Sequence, residues 1–351
     1  LYWSDRRIHY VEGWALDRFA AAELALAPVA GRRVGLLLDA GIEPELRARQ
    51  LQAAEACRAT LGLAIGPVVT TEAPLGVGLS LGPSGTSWGS LERPDALLRA
   101  GEKLVAAGAT AIAAVARFPE DPDSEALAAY RAGSGVDALA GAEAVISHLL
   151  VRHLGIPCAH APALAPLPLD PGLDPRAAAE ELGHTFLPCV LVGLSRAPDL
   201  VPLGPEGAPP FNALEGATGL TSATSGRECA GAGNDPGRAG DHSDRAERWP
   251  GGRFGPGQGQ RRAGERLEVA SLGAVVAPAG ALGGEAVLAS ALRGLPLIAV
   301  AGNPCLLQVS NEALGLEVLS ASSYAEAAGL VLALREGLDP TSLRRPLQRL
   351  E

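Results

Sequence analysis

The chain has 351 residues, 47% of them apolar, which is enough for two α/β lobes or one large one around a full core. Its net charge of −10, from 39 acidic and 29 basic side chains, argues against the basic face that nucleic-acid phosphates require. Apolar runs such as Val34 to Leu38 and Leu297 to Val300 fall far short of the roughly 20 residues that cross a bilayer, so no membrane span is expected.

Five cysteines, at positions 57, 158, 189, 229 and 305, are scattered without CxxC spacing. That pattern suits a reducing cytoplasm and fits neither a disulfide framework nor a zinc ribbon, so no metal is expected. The first residues carry Asp5, Arg6, Arg7 and His9 and read as no signal peptide. The chain contains no Met and begins at Leu1, and so reads as lacking its natural start.

Residues 1–30 open with Tyr2, Trp3, Tyr10 and Trp14 and continue into a helically spaced segment through Leu16 and Phe19, read as an N-terminal appendage. Residues 31–215 read as an α/β lobe. Arg33 to Asp39 is a strand, Glu43 to Leu61 an amphipathic helix and Pro67 to Thr71 a second strand. The small-residue loop Gly82 to Ser90 precedes a helix from Arg93 to Ala107, and Thr110 to Arg117 has the composition of a buried strand. An acidic loop and a helix through Tyr130 follow. Asp137 to Leu154 reads as a helix stopped by Gly155, Ile156 to Ala161 as a strand, Asp174 to Leu182 as a helix and Phe186 to Leu194 as a buried strand.

From Thr221 to Arg266 there is no Leu, Ile or Val. Such a stretch cannot bury enough apolar area to offset its ordering entropy, and residues 216–267 are expected to be a disordered Gly/Arg-rich linker. A regulatory linker, an inert insertion and an out-of-frame translation all fit its composition; the last draws on the GC-rich coding bias implied by a single Lys, Lys103, among the 29 basic residues. Residues 268–351 resume with strands at Leu272 to Ala277, Pro296 to Val300 and Leu316 to Leu319, and helices at Glu285 to Leu292 and Tyr324 to Arg335. The alternation of strand and helix implies a Rossmann-like α/β fold, mostly parallel sheet with helices on both faces, in two lobes.

In such a fold, ligands meet the loops at the C-terminal ends of strands. Three loops are candidates. Ser84, Gly85, Thr86 and Ser87 offer backbone N–H groups and hydroxyls to a phosphate or carboxylate, without the Lys of a P-loop. Gly283 and Gly284 open a helix whose dipole favours an anion, while Asn303 follows the next strand. The third holds His148, Cys158 and His160. Cys158 and His160 are two residues apart on a strand and share a face, as a thiolate and its base would. Glu143 and His148, five apart on a helix, diverge and make no metal pair. Whether His184 and Cys189 join the same edge is left undecided by their separation across Pro188. Arg117 and Arg196, each ending an expected strand, are candidates to grip an anionic substrate in two-pronged fashion. Ordinary turn, packing and ion-pair roles compete with each of these readings.

The runs PSGTSWGS, ARFPEDPDSEALAAYR, GVDALAGAEAVISHLLVRHLGIPCAHAPAL and AAEELGHTFLPCVLVGLSRAP, with VVAPAGALGG and LPLIAVAGN more loosely, resemble domain-of-unknown-function family 3326 of cyanobacteria and plant plastids. The resemblance implies a soluble protein of an oxygenic phototroph, located in the cytoplasm or the plastid stroma, and supplies no catalytic residue. It also implies a Gly-rich strand and loop ahead of Tyr2 and Trp3, which this chain lacks. The expectation is a protein that binds an anionic small metabolite between α/β lobes, with a glycosyl-type or other group transferase as the leading example. A non-catalytic binding or assembly protein is the alternative, and the sequence names neither cofactor nor oligomeric state.

Overall fold

The computed structural model of the protein describes residues 5, 7–175, 177–178, 187–203, 260–261, 266–343 and 345–347. Its centre is a four-stranded parallel sheet built from β3 (Val34–Leu38), β4 (Ile65–Thr70), β7 (Ala111–Arg117) and β8 (Cys158–Ala163) in the order β4-β3-β7-β8. Residues alternate between its faces. Leu37, Ile112, Ala114, Ala116 and Cys158 point to one core cluster, whereas Val34, Leu36, Leu38, Ala111, Ala113, Val115 and Ala159 point to the other. Apolar side chains on both faces are what a sheet covered on both sides needs.

The first face is covered by α3 (Pro94–Ala106) and α5 (Ala140–Leu154), through Leu97, Leu104, Ile146 and Leu150. The second is covered by α2 (Pro44–Leu61) and by α6 (Leu187–Leu194). Pro44 begins α2 where its missing N–H costs nothing, and Gly62 and Gly155, both at φ +66°, end α2 and α5 in the left-handed conformation. The helix α4 (Glu125–Arg131) starts on Ser124, whose hydroxyl accepts the Leu127 N–H.

Three corrections to the sequence reading concern elements. The run at 187–194 is a helix and not a strand: Leu187, Leu191 and Leu194 recur at helical spacing and are the buried residues, a pattern that a short apolar run leaves ambiguous. The loop at Ser84 to Ser87 does not lead from a parallel strand into a helix. It is the turn of an antiparallel hairpin between β5 (Val77–Leu81) and β6 (Ser87–Leu91). The first 30 residues contain strands β1 (Leu24–Ala27) and β2 (Val29–Gly31) after the short helix α1 (Gly13–Ala20), and Ala15, Phe19, Leu24 and Leu26 belong to the first core cluster. Strand β1 pairs antiparallel with β9 (Asp199–Pro202), and β2 with β10 (Gln260–Arg261).

A second parallel sheet follows in the order β11-β12-β13, formed by Val275–Pro278, Leu297–Val300 and Leu319–Ala321. Helix α7 (Glu285–Leu292) connects its first two strands, a short α8 (Asn311–Leu314) precedes β13, and α9 (Tyr324–Arg335) packs Ala327 and Leu330 onto Ile298 and Val300. The stretch 221–266, apart from residues 260, 261 and 266, lies outside the described residues, as does most of the expected helix at 174–182. No helix among the described residues is long and apolar enough to cross a membrane.

Candidate functional site

The strand order reverses between β3 and β7, and the crevice at their C-terminal ends is where α/β sheets of this kind take ligands. Here it is filled from within. Asp39, 1% exposed, accepts N–H groups from Gly41 (2.9 Å) and Leu75 (3.0 Å) on one oxygen and from Arg117 (3.0 Å) on the other. The Arg117 guanidinium is bound by Glu43 at 2.8 Å and Glu120 at 2.6 Å, and also donates to the Phe118 carbonyl. Arg196 sits in the turn between α6 and β9. It adds to the pull, chiefly from Arg7, that holds the Asp5 carboxyl at about 2.

The hydroxyls of the hairpin turn are also engaged. Ser84 and Thr86 share a hydrogen bond of 3.0 Å, the Trp88 indole donates to Thr86, and Ser87 accepts the Gly141 N–H at the start of α5. Gly85 takes φ +82° at the tip, where an added Cβ would lie 3.6 Å from Leu306 of the second sheet's loops. At Gly283 an added Cβ would press on Val309, and Gly284 is the N-cap of α7. The anion at that helix start is an internal one: Asp17 of α1 accepts the Ala286 N–H at 3.0 Å. Burial raises the Asp17 carboxyl above its usual range and the nearby Glu285 carboxylate adds to this, while the Ala286 bond opposes both. Asn303 donates to the Tyr324 hydroxyl at 2.8 Å.

The third candidate group divides. Cys158 and His160 do face the same side of β8, but Cys158 is completely buried and its thiol donates to the Ile156 carbonyl. Burial pushes that thiol well above the ordinary range, so it offers no thiolate to a ligand, and the expected pairing of Cys158 with His160 fails. His148, on the next face of α5, has Nε2 3.0 Å from Glu12, which in turn caps α1 by accepting the Trp14 N–H. The Glu12 bond raises the His148 pKa despite partial burial. Gly13 permits this approach, since a Cβ there would lie 2.9 Å from His148 Nε2.

His160 is different. The residue borders a cavity of about 180 Å³ at the outer edge of β8, lined by Tyr10, Ala159, His160, Cys189, Val190 and Gly193. Nδ1 lies 3.2 Å from the Ser147 hydroxyl and Nε2 lies 3.5 Å from Glu143, both on α5. The Ser147 hydroxyl donates back to the carbonyls of Glu143 and Ala144, so toward the imidazole it is an acceptor. An Nδ1–H donated to that hydroxyl fits the arrangement, and Nε2 faces the Glu143 carboxylate. Burial raises the Tyr10 phenol far above its normal value, with smaller pushes from Glu12 and Cys158, keeping it neutral. Sequence reasoning found His160 and left Cys189 undecided, because it lies on a helix read as a strand, and missed Tyr10, 150 residues upstream. A wider, open depression of about 600 Å³ lies beyond β12 and β13, beside Ser322, Glu326 and Arg345. There Glu326 accepts both the N–H and the O–H of Ser322. Among the described residues no group of three or more His, Cys, Asp or Glu is arranged to hold a metal ion.

A family model described as "Protein of unknown function (DUF3326)" matches residues 1–211 and 252–344. An uncharacterised lipoprotein of Synechococcus sp. is 47% identical over 343 residues, covering 98% of this chain and 80% of that protein. The word lipoprotein in that relative's name does not fit the cytoplasmic location expected from the cysteines. No solved structure matches the chain.

Proposed function

Within the DUF3326 family, to which the chain belongs, we propose that this protein binds a small organic molecule in the cavity beside β8 and that His160 exchanges a proton with it. The observation that supports this reading is the setting of one imidazole. Ser147 and Glu143 sit at its two ring nitrogens, and the residue borders a small, half-open cavity. A general base needs these three things: a set orientation, a charge to stabilise its protonated form and access to the reacting group.

The cavity bounds the ligand. About 180 Å³ corresponds to roughly six waters at the liquid's ~30 Å³ each. Glu143 beside His160 opposes an anion there, so the expected anionic metabolite narrows to a small molecule whose polar group is neutral, a carbonyl or hydroxyl. Glycosyl-type transfer draws less support, because the helix start that suggested a donor phosphate has its Ala286 N–H occupied by Asp17.

Thermal-shift titration of the full chain with a panel of neutral and anionic fragments tests the reading. Saturable stabilisation by small neutral fragments is expected, abolished in Val190→Trp, which fills the cavity. Equal stabilisation of Val190→Trp, or none in the wild-type chain, would overturn it.

A further inference from the structure

The hairpin of β5 and β6 has an inner and an outer face. The inner face is fixed to α5, with Gly89 against Ala142 and the Ser87 hydroxyl accepting the Gly141 N–H. On the outer face Trp88 lies directly opposite Ser80, and Ser90 directly opposite Gly78. Trp88 is 63% exposed, more than any other aromatic side chain among the described residues. Its indole is nevertheless held in place: Nε1 donates to the Thr86 hydroxyl at 3.0 Å, and Ser84 shares a hydrogen bond with the same oxygen. Two glycines make room on this face. A Cβ on Gly82 would lie 2.7 Å from Trp88 Nε1, and one on Gly78 would lie 2.6 Å from the Ser90 hydroxyl oxygen. The hydroxyls of Ser80 and Ser90 are exposed and bond to no other group among the described residues. From Ala73 to Leu91 there is no charged residue, in a chain of which 19% is charged, and Trp88 is the one aromatic residue of that run.

We propose that the outer face of this hairpin is a binding platform for a neutral saccharide, with a sugar ring stacked on Trp88 and its hydroxyls bonded to Ser80 and Ser90. An indole ringed by Gly and small hydroxyl side chains is the composition that binding surfaces favour, because the ring gives a large contact with little rotamer freedom to lose and the hydroxyls adapt their hydrogen bonds. A pyranose has the matching two-sided character. Its C–H groups present a weakly positive, apolar face to the negative face of the indole, while its hydroxyls project at the rim. Trp88 and Ser90 are two positions apart on β6, about 7 Å, within the span of one sugar ring and its hydroxyls. An uncharged face complements an uncharged ligand: without a cation it has little to offer a phosphate or a nucleic acid. A proline-rich peptide docks in a groove lined by several aromatic rings, and this face has one. Because α5 backs the hairpin, the platform is formed before the ligand arrives, which lowers the ordering cost of binding.

The test is native electrophoresis of the full chain through gels containing dextran, glycogen or galactomannan, with alginate as the anionic counterpart. Retardation is expected in at least one of the three neutral gels, rising saturably with polymer concentration, and not in alginate. Trp88→Ala is expected to weaken it about 30-fold, as truncation of an aromatic anchor does. Ser90→Ala is expected to weaken it about 5-fold, the worth of one hydrogen bond. Trp88→Tyr, which keeps an aromatic face, is expected to retain binding. The Ser90 hydroxyl bonds to no other described group, so Ser90→Ala is expected to keep the wild-type melting transition and to report on the ligand rather than on the fold. Retardation in none of the neutral gels, equal retardation of Trp88→Ala, or indifference to Ser90→Ala would each overturn the proposal. Trp88-dependent binding of a polyproline peptide or of phosphatidylcholine vesicles in place of the polysaccharides would also overturn it, and would assign the face to a protein or a lipid surface. Fragment stabilisation that is lost in Val190→Trp reads the cavity beside β8 separately, so the two readings fail independently.

Discussion

Cys158 and His160 show what a period of two can and cannot tell. The spacing puts them on the same side of β8, as expected, because successive side chains on a strand alternate faces. Depth along that face is a tertiary property. Cys158 falls under the α3 and α5 layer, whereas His160 emerges at the edge, and nothing in CAHAPA distinguishes the two. Cys158→Ser is accordingly expected to destabilise the fold by about 1–2 kcal/mol, through a hydroxyl placed in an apolar site, while leaving fragment binding unchanged. Chemical denaturation beside thermal-shift titration would check both halves. Two other residues were not marked as special by their type. Arg32, 2% exposed, donates to Asp199 and to the Thr110 carbonyl at 2.6 Å each and also to the Ala197 carbonyl, tying β9 to the start of the central sheet. Removing one partner of a buried pair strands the other, so Asp199→Ala is expected to cost about 3–5 kcal/mol, read as a drop in the denaturation midpoint.

His148 gives a pH dependence of known sign. Its pKa is raised in the folded protein by Glu12, with a smaller contribution from Asp17. A raised value means that the folded state holds the proton more tightly than the unfolded chain does. The stabilisation is therefore fully present below the unfolded value, about 6.5, and is lost as pH rises through the higher folded value. The side chain is 42% exposed, so after solvent screening the effect is about 0.5 kcal/mol. Wild type is expected to exceed His148→Gln in stability by that amount at pH 6, with the gap closing by pH 9. Melting curves across that range would show the wrong sign if the gap widened instead.

Among the elements, those with a clear period and a clear stop were legible. The helices α2, α3, α5 and α9 and the strands β3, β7 and β12 lie within a few residues of expectation, because Pro and Gly mark their ends and their apolar residues recur on one face or on both. The hairpin was not legible as a hairpin. Its Gly and Ser residues read as a phosphate cradle, yet Gly89 and Gly141 are there so that β6 can lie directly against the start of α5. A Cβ on Gly89 would sit 2.0 Å from the Ala142 Cα, and one on Gly141 would sit 2.5 Å from the Ser87 carbonyl oxygen. Both obstacles are backbone, which cannot swing aside as a side chain can. Gly89→Ala is expected to cost about 3 kcal/mol, at the upper end of overpacking penalties, and to lower the melting temperature accordingly. Because α5 carries Ser147 and Glu143, the same substitution is expected to weaken fragment binding at His160 without touching the cavity.

At the scale of the molecule, the alternation of strands and helices gave the α/β class and the parallel sheets, but not how the second sheet attaches to the first. The attachment runs through α1, a segment that composition alone presents as an appendage. Toward the central sheet, α1 buries Ala15 and Phe19 and is capped by Glu12, which faces His148. Toward the second sheet, Asp17 takes the Ala286 N–H, Arg18 pairs with Glu285 and Arg293 donates to the Ala20 carbonyl at 2.8 Å. These partners are separated by some 270 positions in the chain, a distance over which no local pattern operates.

The Asp17 carboxylate at the start of α7 carries one more consequence. A group tethered to the same chain acts at an effective concentration in the millimolar range or higher, and a free phosphate or carboxylate competing for the same N–H starts from that disadvantage. The helix start is thus a binding site with its occupant built in, and what it recognises is the position of α1. Its strength sets how firmly the two sheets stay together rather than how tightly any metabolite is held.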